Sequence, residues 1–473
     1  MKVISRYTSA GLALGLLLSA CTVGKRYQRS ALDLPGQYRA APATVTGDTV
    51  SMPWKNFFHS STLVGLIEKA LEKNNDVRIA VMSMRQLDLS YRQAKLGLLP
   101  IANLNVSASR SWLSKNSLNG SLSNQFIGTP YMDDYTATLA VSWEADIWGK
   151  VRMQKEGALA DYLAQKENLQ ALRTRIIVQV AQAYYNLITL DEQLKVAKRN
   201  VELGDSTLSM IRLQYASAQV SSLGVEQAEA QKKTAELLVP QAFRDIAIQE
   251  NALSILCGSY PDSITRSEDL KGTSLPDGSG SGIPAQLLSR RPDVRAAEYA
   301  VVSANAKTGL AKAAMYPAIT LTPSIGMNSY KFSTWFDMPG SLVKNVGAGL
   351  TQPLFQKKAL KTAYEIAIIE QEKAGIAFRQ SVMTAVGEVS DAMAKSKYAD
   401  ERIALATEKQ AALDKATHDA LLLYKNGMAN YLEVITAQNN ALQNELDIIG
   451  LKREKLNAMT DLYRSLGGGV DPS

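Results

Sequence analysis

The sequence predicts a mainly α-helical chain with a membrane β part. A long antiparallel helical barrel continues into a transmembrane β-barrel with four strands per protomer; the chain is an internal two-fold tandem repeat, and a trimer is one closure that its strand count allows. Three observations predict this. The chain repeats itself: at a constant offset of 217, Asp293, Val294, Arg295, Ala311, Lys312, Pro317 and Leu321 fall on Asp76, Val77, Arg78, Ala94, Lys95, Pro100 and Leu104 without a gap, and internal repeats take precedence over other readings. Two helical runs are too long for a globular domain. After a proline at the end of a helix, each half of the chain alternates apolar and polar residues with period two.

The N-terminus supplies an address. Lys2 and Arg6 precede the apolar run "SAGLALGLLLSA", so residues 1–20 read as a secretory signal and not as structure. Leu18-Ser19-Ala20-Cys21 fits a bacterial lipoprotein processing site, with Cys21 acylated and left as the first residue; an ordinary signal peptide with a chance cysteine is the alternative. Several acyl chains, at roughly 0.8 kcal/mol per buried methylene, would anchor the chain firmly. Thr22 is not acidic, which by analogy with bacterial sorting favours the outer membrane. Residues 21–59 then read as an acylated tether, aperiodic and rich in turn residues.

Ser60-Ser61-Thr62 is a capping cluster that opens repeat 1, residues 60–257. A helix over about 75–98 ends at Pro100, and a hairpin over about 101–147 follows. Ala102, Leu104, Val106 and Ala108 alternate with Asn103, Asn105, Ser107 and Ser109; after a polar loop, Tyr135, Ala137, Leu139, Val141, Trp143, Ala145 and Ile147 share one face. Long helices then cover about 149–257, proline-free as far as about Leu203. Their Ala, Gln, Val and Leu faces suit side-by-side packing of many helices. Residues 258–285 are the linker. Repeat 2, residues 286–466, brings a helix that starts at Arg291-Pro292-Asp293, a hairpin over about 318–355 and long helices over about 357–466, proline-free from Lys357. Residues 467–473 are a tail. Pro323 is a blemish in the second hairpin, because a central strand uses its N–H. Pro100 and Pro317 are structural: each ends a helix ladder and biases its predecessor, Leu99 or Tyr316, toward extended backbone.

Composition narrows the function. The chain has 473 residues, 46% apolar but 21% charged, and past the signal no run approaches the roughly 20 apolar residues of a spanning helix. Strands of about ten residues do suffice to cross a bilayer when tilted. Four strands cannot close a barrel, and open edges in hydrocarbon leave N–H and C=O groups unpaired. Strands from other copies must complete the sheet, and three copies give a barrel of known size. Soluble hairpins capping a helical bundle are the competing reading. Of 52 lysines and arginines, Lys2 and Arg6 leave with the signal, so against 45 acidic residues the mature excess is about five, which gives no footing for nucleic acid. Cys257 has no partner for a disulfide once Cys21 is acylated. His59 and His418 lie far apart, and the 14 methionines are scattered; no metal site, cofactor or enzyme constellation is expected beyond the covalent lipid at Cys21.

Several stretches together, "TVGKRYQRS" after Cys21, "SWEADIWGKVR" at 142–152, "LLSRRPDVRAAE" at 287–298, "MYPAITLTPSIG", "GLTQPLFQ" at 349–356 and "YKNGMANYLEVITAQNNAL" at 424–442, resemble the TolC-type outer-membrane factors. The resemblance is to the lipoprotein branch that serves resistance-nodulation-division efflux pumps, and it runs from Cys21 to about Gly469. One departure is Lys357-Lys358, where the family often has small or glycine residues. The resemblance implies a homotrimer, a barrel of about 12 strands, a periplasmic helical tunnel, and docking to a periplasmic membrane-fusion (adaptor) protein and an inner-membrane resistance-nodulation-division transporter. Contact with outer-membrane lipids follows. A duct for type I protein secretion is the runner-up; a periplasmic lipoprotein scaffold or adhesin without a pore is the reading from another class.

The second halves of the repeats align at an offset of 209, which places Asp205 on Asp414. Both are expected where the chain turns back at the periplasmic tip. Three copies would gather these carboxylates into a cation-attracting ring, although an Asp that caps a helix start explains the pair equally. His418, one turn past Asp414, adds pH sensitivity if it faces the lumen and is a solvated surface residue otherwise.

Overall fold

The structure is a computed structural model that describes residues 23–29, 31–39, 53–114, 116–122, 125–126, 128–270, 272–273 and 286–468. The signal, Cys21, most of the linker's second half and the end of the tail lie outside the described residues. The helices are α1 (Trp54–Phe57), α2 (Ser61–Lys73), α3 (Asn75–Lys95), α4 (Leu118–Leu122), α5 (Lys150–Ala216), α6 (Ser222–Leu256), α7 (Leu287–Arg290), α8 (Pro292–Ala313), α9 (Ala359–Lys425) and α10 (Tyr431–Ser465). The strands are β1 (Ile101–Trp112), β2 (Tyr131–Glu144), β3 (Ala318–Ser329) and β4 (Leu342–Thr351). The same succession of helix, hairpin, 67-residue helix and 35-residue helix occurs twice. No helix among the described residues is long and apolar enough to cross a membrane.

The chain forms two compact units, one from residues 86–163 and 299–376 with the first described residues, the other from residues 31–85, 164–298 and 377–468. The first unit holds a four-stranded antiparallel sheet in the order β1-β2-β3-β4. Its register sorts the side chains, since residues directly opposite share a face. Leu104, Leu139 and Ile325 form one row; Val106, Ala137, Met327 and Leu342 form the next. The other face carries Asn105, Thr138 and Gly326, then Ser107, Thr136 and Asn328. A side chain at Gly326 would strike the backbone of Ala137 and Thr138, so glycine is required by close approach. Pro323 does stand inside β3, and its effect is local: β2–β3 pairing lapses between Ala140↔Ser324 and Trp143↔Leu321, then resumes in the same register.

Pro100 and Pro317 immediately precede β1 and β3, and an indole clamps each junction: Trp143 Nε1 donates to Leu98 O at 2.9 Å and Trp148 Nε1 to Pro317 O at 2.7 Å. The alternation expected to reach Ile147 ends as a strand at Glu144, and the return strand expected to reach Phe355 stops at Thr351 ahead of Pro353. Ala145 N still donates to Ile319 O at 3.0 Å, so sheet bonding outlasts the strand by one residue.

The second unit buries Leu63, Ile67, Ile176, Val180, Tyr184, Leu187, Ile188 and Leu253 in one cluster, each large aliphatic side chain contributing about 1.5–3 kcal/mol. Ser60 caps α2 by accepting from Leu63 N at 3.4 Å, and Asn74 caps α3 by accepting from Asp76 N at 2.9 Å. Cys257 is a free, buried thiol, raised by that burial. Small residues mediate the helix contacts, with Ala181, Ala385 and Ala392 essentially inaccessible. The proline-free helices do not turn at Leu203 or Leu413. They run to Ala216 and Lys425, about three turns further; Gly204 stays helical in α5, and Lys232 of α6 comes within 3.4 Å of where its side chain would be.

Candidate functional site

The two places where long helices reverse direction lie in the second unit, and their construction is parallel. Residues 217–221 join α5 to α6, and residues 426–430 join α9 to α10. Ala218 and Gly427, equivalent at the offset of 209, both take left-handed backbone, with φ of 58° and 71°. Leu208, Ile211, Ala228, Tyr424, Tyr431 and Val434 pack the two turns into one apolar cluster. Tyr424 Oη donates to Gln214 Oε1 at 2.6 Å, which ties the last turns of α5 and α9 together. The Tyr424 and Tyr431 rings lie 5.8 Å apart. Burial raises both hydroxyls, that of Tyr431 to about 12, so both stay protonated donors at neutral pH. A cleft of about 590 Å³ opens beside them, lined by Gln214, Gln219, Gly224, Asn430 and Tyr431 among others.

Asp205 and Asp414 are not caps. Each lies inside its 67-residue helix, well before the reversal, and each is exposed. The structure does not bring them into contact. Asp205 pairs with Lys232 at 2.6 Å, a hydrogen bond that, with that of Glu236, raises the lysine ammonium; Asp414 accepts from Gln410 Nε2 at 2.8 Å. His418 is exposed, one turn beyond Asp414. Cys21 lies outside the described residues. Gln214, Tyr424 and Tyr431 were not singled out from the sequence. The repeat touched one of them, since the offset of 209 places Tyr215 on Tyr424, but Tyr424 is 7% accessible and Tyr215 51%; equivalence in sequence gave way to difference in packing.

The sheet of the first unit is the other functional surface. Its edge strands β1 and β4 have one unpaired side each, and every residue of β1 is exposed, Leu104 to 71% and Val106 to 62%. Exposed aliphatic rows on one face and serine, threonine and asparagine on the other match a wall between hydrocarbon and water.

A profile of the outer membrane efflux protein family matches residues 66–259 and 283–468. The cation efflux system protein CusC of Escherichia coli strain K12 is 27% identical, over 96% of this chain and 97% of its own length. The probable outer membrane lipoprotein SilC of Salmonella typhimurium is 26% identical over 96% of each chain. The open-state crystal structure of the Neisseria gonorrhoeae MtrE outer membrane channel superposes with a TM-score of 0.82 at 26% identity, covering 95% of this chain and 98% of that one. With helical hairpins, a one-faced sheet and these likenesses spanning nearly all of its length, the chain belongs to the outer membrane efflux protein family and is an outer-membrane channel.

Proposed function

We propose that this channel is the passive exit duct of a tripartite efflux pump, assembled from three copies of the chain. The observation that carries this reading is the four-stranded sheet with one apolar face and two open edges. Such a sheet in hydrocarbon leaves backbone groups unpaired at several kcal/mol each, and joining β4 of one copy to β1 of the next removes the edges. The barrel would then hold about 12 strands. An acylated Cys21 would tether each copy to the membrane, a reading favoured by the name of the relative SilC. A periplasmic adaptor and an inner-membrane resistance-nodulation-division transporter would supply substrate and energy, and substrate choice would rest with them.

The helix reversals are proposed as the gate. The Tyr424–Gln214 hydrogen bond would latch the tip, and Asp205, Asp414 and His418 would set the charge around it. The chain purified in detergent, weighed, and inserted into a planar bilayer tests the duct: a trimeric mass and ion conductance are expected, and a stable monomer without conductance overturns it. Asp414→Ala should lower cation selectivity; unchanged selectivity and closed-state leakage remove Asp414 from the gate.

A further inference from the structure

Lys344 lies on the wrong face for a lysine. It is paired with Ile325, which is paired with Leu139, which is paired with Leu104, so all four side chains share the apolar face. The same face carries one other cation, Arg110, which is neutralised by Asp133 through Nε at 2.6 Å and Nη2 at 2.8 Å. Lys344 has no carboxylate partner among the described residues. The sheet offers it none either: β3 on one side contains no Asp or Glu, and β1, which would flank it from the next copy, contains none. Asp134, in β2, is turned to the other face, where it accepts from Asn328.

The position along the strand matters as much as the face. Lys344 is two residues inside the start of β4, at the end of the sheet that carries the hairpin loops. There the loop after β3 folds onto the same face: the Phe332 and Trp335 rings sit 5.5 Å and 5.7 Å from that of Tyr135, and Trp335 Nε1 donates to Met327 O at 3.4 Å. Phe332 and Phe336 remain about two-thirds exposed, at 66% and 63%. Aromatic residues of this kind mark the level of lipid headgroups. Lys344 lies four residues, ~13 Å of strand, below the Tyr135 row; a barrel tilt of roughly 35–45° shortens that depth, and a lysine stem carries its charge toward the interface.

We propose that Lys344 binds the phosphate of an anionic lipid in the outer leaflet, with the exposed Phe332 and Phe336 rings of the loop that folds onto Tyr135 packing against its acyl chains and headgroup base. The inference rests on the membrane-spanning reading of the sheet. The counter-charge has to come from outside the protein, and a phosphorylated lipid is the anion that meets this face.

The test uses the full-length acylated protein in phosphatidylcholine nanodiscs doped with phosphatidic acid, a lipid with a phosphate monoester headgroup, with co-purifying lipid counted by native mass spectrometry. Wild type should retain phosphatidic acid over phosphatidylcholine. Lys344→Gln should retain about five-fold less, the equivalent of roughly 1 kcal/mol per cation near an anionic surface, while Lys344→Arg and the charge-matched control Lys361→Gln hold it. Retention by Lys344→Gln equal to wild type overturns the proposal, and so does displacement of the lipid by inorganic phosphate, which would make the ligand a free ion. If Lys344→Gln still conducts as a trimer while lipid retention is unchanged, the lipid site fails alone. A wild-type chain that forms no conducting trimer overturns the channel reading along with it.

Discussion

Single residues show where the two halves of the chain solve one problem differently. Gly149 and Lys358 each immediately precede a 67-residue helix, and both take left-handed backbone, with φ of 73° and 64°. Glycine occupies that conformation freely, whereas a lysine with a Cβ is strained there by about 1 kcal/mol or more. Lys358→Gly is expected to stabilise the protein by about 1 kcal/mol, read as a higher midpoint in denaturant, and a lower midpoint would show that Lys358 makes a compensating contact. Glu167 offers a pH signature. Its carboxyl is buried against Arg295 at 2.9 Å, and burial raises it despite the opposing Arg295 charge. A carboxyl raised on folding above its unfolded value of about 4.3 contributes stability that is complete below that pH and is lost as pH rises through the folded value. Glu167→Gln does not titrate, so its stability relative to wild type should improve between about pH 4 and pH 7; a difference independent of pH would contradict the assigned shift. At the tip, Tyr424→Phe removes one hydrogen bond worth about 0.5–1.5 kcal/mol and should increase closed-state leakage in planar bilayers with little change in folding.

At the scale of elements, the two faces of the sheet should respond oppositely to charge. Val141→Arg places a cation in the apolar row beside Ala102, one row further from the hairpin loops than Lys344, and should cost roughly 2–4 kcal/mol of membrane stability if that row meets the bilayer midplane, measured as loss of heat-resistant oligomer in detergent. Thr138→Arg, on the polar face of the same strand, should be tolerated; equal damage from both would mean that the sheet does not separate lipid from water. These elements were legible because their signals are local. Period two is written into "NLNVSAS" and "YTATLAVSW", and Pro100 and Pro317 stand immediately before β1 and β3. Helix ends were less legible. The turn expected near Asp205 and Asp414 does not occur there, and the real reversal uses Ala218 in left-handed backbone, a conformation its residue type does not advertise. The Tyr424–Gln214 hydrogen bond beside the helix reversals was less visible still, since the two residues are 210 apart and sit on different helices, α5 and α9. Asp205 and Asp414 illustrate the converse: the repeat made them equivalent, but Asp205 pairs across to Lys232 of α6 whereas Asp414 pairs with Gln410 of its own helix.

For the whole molecule the decisive feature is what the chain lacks on its own. A sheet in the order β1-β2-β3-β4 ends in two strands with free hydrogen-bonding sides, and β1 blunts its edge with no proline and no bulge, the devices by which soluble sheets resist pairing. In the proposed assembly both edges are joined. Antiparallel order alternates around the sheet, so β4 of one copy and β1 of the next can meet antiparallel, and repetition of that heterologous contact closes a ring when the rotation permits. Asn345 of β4 and Asn103, Asn105 and Ser107 of β1 all lie on the polar face, where a new thiol is not opposed by lipid. Cys257 is buried and does not compete. Pairing Asn345→Cys with cysteine at each of the three β1 positions in turn should give, in the register that aligns their Cβ atoms within about 3.5–4.5 Å, a ladder of disulfide-linked dimer and trimer on a denaturing gel, reversed by reductant. A ladder that extends past three copies would replace the trimer with a larger ring, and failure to crosslink in every register of a membrane-inserted sample would mean that β1 and β4 do not meet.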